Sequence, residues 1–98
     1  MTYRVLLRKE AQDDLSDAAS WYEEQRLGLG GEFLDEAGAA FRRIEANPLA
    51  YVDVYRGFRR ALLRRFPFAV YFRVEPESVS VVAVMHASRS PAAWQVRT

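Results

Sequence analysis

Residues 9–47 read KEAQDDLSDAASWYEEQRLGLGGEFLDEAGAAFRRIEAN. Ala11, Leu15, Ala18 or Ala19 and Tyr22 recur at steps of three and four, the spacing that lines side chains along one side of an α-helix. Asp13, Asp14, Asp17, Glu23 and Glu24 fill the other positions, which predicts an amphipathic helix over 9–26 with an acidic outer face. Leu27-Gly28-Leu29-Gly30-Gly31 stops it, because glycine readily takes the left-handed conformation that ends helices. Phe33, Leu34, Ala37, Phe41 and Ile44 then repeat the period until Asn47-Pro48 ends it. Two helices of roughly 25 Å, joined by so short a turn, fold back antiparallel as a helical hairpin.

On the N-terminal side, Tyr3-Arg4-Val5-Leu6-Leu7-Arg8 is a short apolar run between polar ends, a strand pattern. Beyond Pro48 the helical period disappears. Residues 49–57 read as a connector ending at Gly57, Phe58 to Arg65 as a strand, and Phe66-Pro67 as a break. Phe68-Ala69-Val70-Tyr71-Phe72-Arg73-Val74 is rich in the aromatic and β-branched residues that fit a pleated surface. Glu75-Pro76-Glu77 is a turn, and Ser78 to Met85 alternates before becoming continuously apolar, as a central strand covered on both faces does. The tail from His86 to Thr98 is too short to add a layer. These elements predict one α+β domain over residues 1–98, ordered β-α-α-β-β-β, with the helical hairpin on one face of a small, mainly antiparallel sheet.

With 50% apolar and 28% charged residues in 98, the chain can build one modest core, which argues against disorder and against a second domain. It has no cysteine, so disulfides and thiolate metal sites are excluded, and no histidine–carboxylate cluster has metal-ligand spacing; no metal and no cofactor are expected. No run approaches the ~20 apolar residues of a membrane helix, and the N-terminus lacks signal-peptide layout. A cytoplasmic protein with no membrane partner is expected.

The net charge of +1 conceals an asymmetry. Residues 1–54 carry six basic and eleven acidic side chains, a balance of −5, whereas residues 55–98 carry eight arginines against two glutamates, a balance of +6. Thirteen of the fourteen basic residues are arginine, whose planar fork suits bidentate anion contacts. Arg59, Arg60, Arg64 and Arg65 surround the first meander strand. Alternation puts Arg60 and Arg64 on one face, and Arg59 and Arg65 on the other. With Arg89 they form a candidate anion-binding surface able to clamp a phosphodiester. Two other readings stand beside it: an edge strand protected by charge, and a docking face for acidic groups of a protein. His86 is the only histidine, at the end of the last strand. It either takes a proton from a ribose 2′-hydroxyl while Arg89 holds the phosphate, a metal-free catalytic pair, or fixes the C-terminal segment by hydrogen bonding. Trp21 and Tyr22 lie within the first helix, where core or partner contact competes with base stacking, and Trp94 is expected to pack on the sheet.

Gly57-Phe58-Arg59-Arg60, Arg65-Phe66-Pro67-Phe68-Ala69-Val70-Tyr71-Phe72, His86-Ala87-Ser88-Arg89-Ser90-Pro91 and Trp94 with Arg97 follow one another as the motifs of the RelE/ParE toxin family do. The chain resembles that family over nearly its whole length, on the ParE-like or plasmid-stabilisation side. The resemblance implies the toxin of a type II toxin–antitoxin pair, inhibiting growth and neutralised by a protein antitoxin. It implies as target either DNA gyrase, bound without chemistry, or messenger RNA on the ribosome, cut without metal; an inactive relative acting only as an interaction module is a third reading. RelE-like nucleases, by resemblance, use several lysines and a tyrosine near the C-terminus. This chain has Lys9 alone and no tyrosine after Tyr71, and Ser90 stands where many relatives have Asp. The nuclease constellation does not carry over, and the long hairpin, by resemblance, points to the ParE-like, gyrase-binding side.

Overall fold

The computed structural model describes residues 3–98. Its elements are β1 (Arg4–Leu7), α1 (Lys9–Gln25), α2 (Leu29–Ala46), a single 3₁₀ turn at Pro48–Ala50, β2 (Asp53–Tyr55), β3 (Phe58–Leu62), β4 (Phe68–Val74), β5 (Ser78–His86) and α3 (Ala92–Gln95). The strands form one sheet in the order β1-β5-β4-β3-β2, with β1 parallel to β5 and every other pair antiparallel. This is the expected α+β arrangement, enlarged by a fifth strand and a C-terminal helical turn.

The hairpin forms where its periodicity places it. Ala11 is fully buried, and Leu15, Ala18, Ala19 and Tyr22 pack on the same core. Phe33, Ala37, Ala40 and Ile44 supply the buried stripe of α2, while Phe41 is only half-buried at its margin. The turn is shorter than the glycine pattern implies: α2 begins at Leu29, and only Gly28 takes the left-handed conformation, φ 89°. Gly30 serves a different purpose, since a Cβ there would lie 2.5 Å from the Ala19 carbonyl oxygen. The helices cross too closely for any side chain. Glu23 closes the joint, its two carboxylate oxygens each accepting a 2.9 Å hydrogen bond, one from the Gly28 amide and one from the Gly30 amide. Those amides belong to the start of α2, where they lack intrahelical acceptors.

The segment 49–57, read from sequence as a connector, contains the edge strand β2. Arg56 and Gly57 both have positive φ (49° and 84°) between the paired residues Tyr55 and Phe58. That is the two-residue type I′ turn that joins twisted strands. β3 stops at Leu62 rather than Arg65. Leu63 and Phe66 tuck their side chains under the hairpin while the chain turns between them, with Leu63 donating its N–H to the Phe68 carbonyl at 2.9 Å. In β5, Tyr71 faces Ala83 and Phe72 faces Val81, so Val82 is an extra residue, a β-bulge.

The sheet buries both faces unequally. On the hairpin face, Phe33, Ile44, Val70, Phe72, Val79, Val81 and Val84 form the main core. The opposite, open face carries a smaller cluster of Phe58, Tyr71, Val82, Met85 and Trp94. The tail therefore does add a partial layer: α3 lays the Trp94 ring on Tyr71, centroids 4.3 Å apart and 15° from parallel.

Candidate functional site

The arginines adjacent in sequence separate in space. Arg59 shares the hairpin face with Ala61, and its Nη1 donates to the Tyr51 carbonyl at 2.6 Å. Arg60 lies on the open face, its cross-strand partner being Tyr71. Arg64 and Arg65 leave the sheet with the turn after β3, and their amides donate to Glu36 Oε1 of α2 at 2.9 and 3.2 Å. The Arg65 guanidinium pairs with Glu32 at 2.9 Å, and Arg26 reaches the same carboxylate at 3.2 Å. The hydrogen bond from Arg65, then that from Arg26, hold the Glu32 carboxyl below its ordinary range, and the Glu32 hydrogen bond raises Arg65 in return. Arg89 sits in the exposed loop beyond β5, its N–H on the His86 carbonyl at 3.0 Å. Alternation along a strand ending at Arg65 would have set Arg60 beside Arg64; the earlier strand end prevents it.

His86 closes β5, with its imidazole packed edge-on against Phe68. Its Nδ1 accepts the Ser88 backbone N–H at 3.1 Å and lies 2.7 Å from the Ser88 hydroxyl. An amide can only donate, so the neutral ring carries its hydrogen on Nε2. His86 and Arg89, with Asp17, Ala18 and Phe68, line a cavity of about 280 Å³. A second cavity of about 450 Å³ shares His86 and Phe68 and is walled by Trp21, Tyr22 and Pro67. Together they make a groove along α1, charged at one end and aromatic at the other. Burial raises the Tyr22 phenol above its ordinary value.

Sequence reasoning missed the best-connected polar group. Asp14, assigned by its charge to the outer face of the first helix, points inward with 13% of its side chain exposed. Arg97 meets it bidentately, Nη1 to Oδ2 at 2.7 Å and Nη2 to Oδ1 at 3.1 Å. The pair also satisfies the bulge: Asp14 accepts the Val84 N–H at 3.0 Å and Arg97 donates to the Val82 carbonyl at 3.1 Å. The hydrogen bond to Asp14 raises the Arg97 guanidinium above its ordinary value, outweighing its partial burial. Arg8 joins from β1, donating to the Arg97 carbonyl at 3.4 Å and to Ser80 Oγ at 3.1 Å. Helix, bulge, first strand and tail are thereby tied at one point. The signal was present, because Asp14 stands three residues after Ala11 and four before Ala18, inside the buried stripe.

This architecture occurs in solved toxin–antitoxin proteins. A chain of the chromosomal ParDE system from P. aeruginosa superposes with a TM-score of 0.77 at 15% identity, covering 87% of this chain and 96% of that one. A chain of the RelBE2 toxin–antitoxin complex from Mycobacterium tuberculosis gives 0.64 at 18% identity, with 88% and 99% covered. The fold is that of the ParE and RelE toxins. In sequence, Toxin ParE2 of Mycobacterium tuberculosis is 31% identical over 95 residues, covering 93% of this chain and 88% of that protein. The family described as the ParE toxin of type II toxin–antitoxin systems, parDE, matches residues 5–91. This chain belongs to the ParE toxin family of type II toxin–antitoxin systems.

Proposed function

We propose that this toxin arrests growth by binding DNA gyrase, without chemistry of its own, and that a cognate antitoxin protein neutralises it. The observation that carries the reading is the match to the ParE family from β1 through the His86–Pro91 segment. The geometry around His86 adds support. A general base must offer a lone pair to the proton it takes. In His86 the neutral ring's one lone pair, on Nδ1, is already engaged by Ser88. Lys9, the only lysine, is on the solvent side of α1, paired with Asp13 at 3.1 Å. Tyr71, the last tyrosine, is buried beneath Trp94. None of these three side chains stands free to deprotonate a ribose, whereas binding needs no base.

The chain expressed alone in its native host is expected to stop growth, and co-expression of the protein encoded by the adjacent reading frame is expected to restore it. Growth curves with immunoblots check this; soluble, abundant protein that leaves growth unchanged would refute the proposal.

A further inference from the structure

The acidic half of the chain forms the hairpin, and the groove already described runs along its first helix. Residues 9–25, which form α1, hold six carboxylates and a single lysine, and that lysine answers Asp13. Trp21 on this helix is 56% exposed, whereas the chain's other tryptophan, Trp94, is 3% exposed. The Trp21 ring stands perpendicular to Tyr22 with centroids 5.1 Å apart, and Tyr22 meets Phe68 at 6.0 Å. With Pro67 these rings wall the larger cavity of about 450 Å³. Asp17 and Glu24 stand four residues before and three residues after Trp21, the spacing that makes helix neighbours, so a carboxylate lies on either side of the indole. Both are exposed, and among the described residues neither has a cation within ion-pair distance. No guanidinium of the described residues covers Trp21, Tyr22 or Phe68 either, since the arginine–ring contacts there are Arg56 on Tyr55 and Arg65 on Phe66.

Resting on the reading that the toxin binds DNA gyrase, we infer that this groove takes the target: it receives a basic segment of gyrase, with an arginine side chain laid on Trp21 between Asp17 and Glu24. A ring face attracts a cation within about 6 Å, tryptophan most strongly, and a guanidinium plane stacks on it while its N–H groups reach carboxylates at the side. Trp21 and its two flanking carboxylates offer both contacts. From Asp14 to Trp21 the groove follows two turns of α1, roughly 10 Å at 1.5 Å per residue. That is the span of about three extended residues, so a stretch of chain fits where a lone side chain would leave space. Arg89, which lines only the smaller cavity, fixes the direction. It repels a cation from its own end and donates to a backbone carbonyl there. The carboxylates of α1 in turn repel a phosphodiester backbone and an acidic protein segment. His86 borders the groove edge-on to Phe68 and gives it shape, and no attraction depends on it.

The test measures the affinity of the full-length toxin for purified DNA gyrase by surface plasmon resonance. Trp21→Ala should weaken binding roughly 10- to 100-fold, the loss expected of a tryptophan at the centre of an interface. Trp21→Phe keeps an aromatic face and should fall between. Asp17→Asn with Glu24→Gln removes charge and keeps shape; it should weaken binding about tenfold and flatten its salt dependence. Asp35→Asn, an exposed carboxylate of α2 outside the groove, is the charge control and should bind as the parent does. Melting temperatures should stay near the parent's, because no ion pair is lost and Trp21 is largely in solvent. Parent-like affinity in both Trp21→Ala and the double variant overturns the groove and leaves the gyrase reading intact. Loss in Trp21→Ala with the double variant unaffected marks an apolar occupant and overturns the cationic one. A parent chain that does not bind gyrase overturns both readings. If the variants bind gyrase normally but lose the protein encoded by the adjacent reading frame, the groove belongs to the antitoxin and the inference fails.

Discussion

Trp94→Ala is expected to lower the free energy of unfolding by about 3–5 kcal/mol, the range for deleting a buried aromatic side chain. Trp94 is 3% exposed although it stands four residues from the C-terminus. Its ring stacks on Tyr71 and meets Tyr55 edge-on at 5.7 Å and Phe58 at 6.2 Å. No other large side chain of the tail reaches this cluster, so truncation leaves a void that its neighbours cannot close. Small domains have only about 5–15 kcal/mol to lose, and the variant should be partly unfolded at growth temperature. Trp94→Phe retains a ring and should fall between. Denaturant unfolding of the three proteins checks the order; a loss below about 1 kcal/mol for the alanine variant would place Trp94 outside the core.

The second large effect is expected at the tie between α1 and the tail. Asp14→Ala removes the acceptor of the Val84 amide and leaves the Arg97 guanidinium, 20% exposed, without its counter-charge. Removing one partner of a pair so shielded costs about 2–4 kcal/mol, because the remaining charge stays poorly solvated. Arg97→Ala should cost a similar amount, since Asp14 then keeps its charge beside the bulge. The double variant should lose less than the sum of the two, which a double-mutant cycle measures directly. Strict additivity would show that Asp14 and Arg97 do not act as a pair.

What the sequence revealed and what it hid follow from the range of the interactions. The helical hairpin was legible because ten apolar residues at helical spacing report a local property, and the helices bury the stripe so marked. Phe41, half-buried at the stripe's margin, and Leu34, 46% exposed, are the exceptions. The two long meander strands were legible for the same reason: Phe68–Val74 and Ser78–Met85 carry apolar runs that only a covered sheet accommodates. β2 was not, because Val52 and Val54 remain exposed on the edge and leave no burial pattern to read. Its turn is also disguised, with Arg56 rather than Asn or Asp ahead of Gly57 in a left-handed conformation. α3 is four residues long, too short for a period, although Pro91 before Ala92-Ala93 is a helix-start signal.

The candidate site was legible only in part, because its grouping is tertiary. Arg59, Arg60, Arg64 and Arg65 are neighbours along the chain, yet strand pleating and the turn after Leu62 send them to different surroundings. Arg4, Arg8 and Arg73 come from distant segments and share the open face of the sheet with Arg60 only through the strand order. Helix carboxylates hid their roles as well. Asp14 and Glu23 read as part of an acidic outer face, but both accept backbone N–H groups, as Glu36 and Glu45 of α2 also do, Glu45 taking the Val5 N–H at the free edge of β1. Which carboxylates do so depends on the packing of the hairpin on the sheet.

Binding to gyrase tests the central claim most directly. Purified toxin titrated into DNA gyrase with relaxed plasmid and ATP should suppress supercoiling, and the adjacent-frame partner at equal concentration should restore it. The His86→Ala variant should inhibit as the parent does, because binding needs no general base. In parallel, translating ribosomes given the toxin should keep their messenger RNA uncut. Supercoiling that proceeds unchanged at saturating toxin, alongside messenger RNA cleavage that His86→Ala abolishes, would contradict the account.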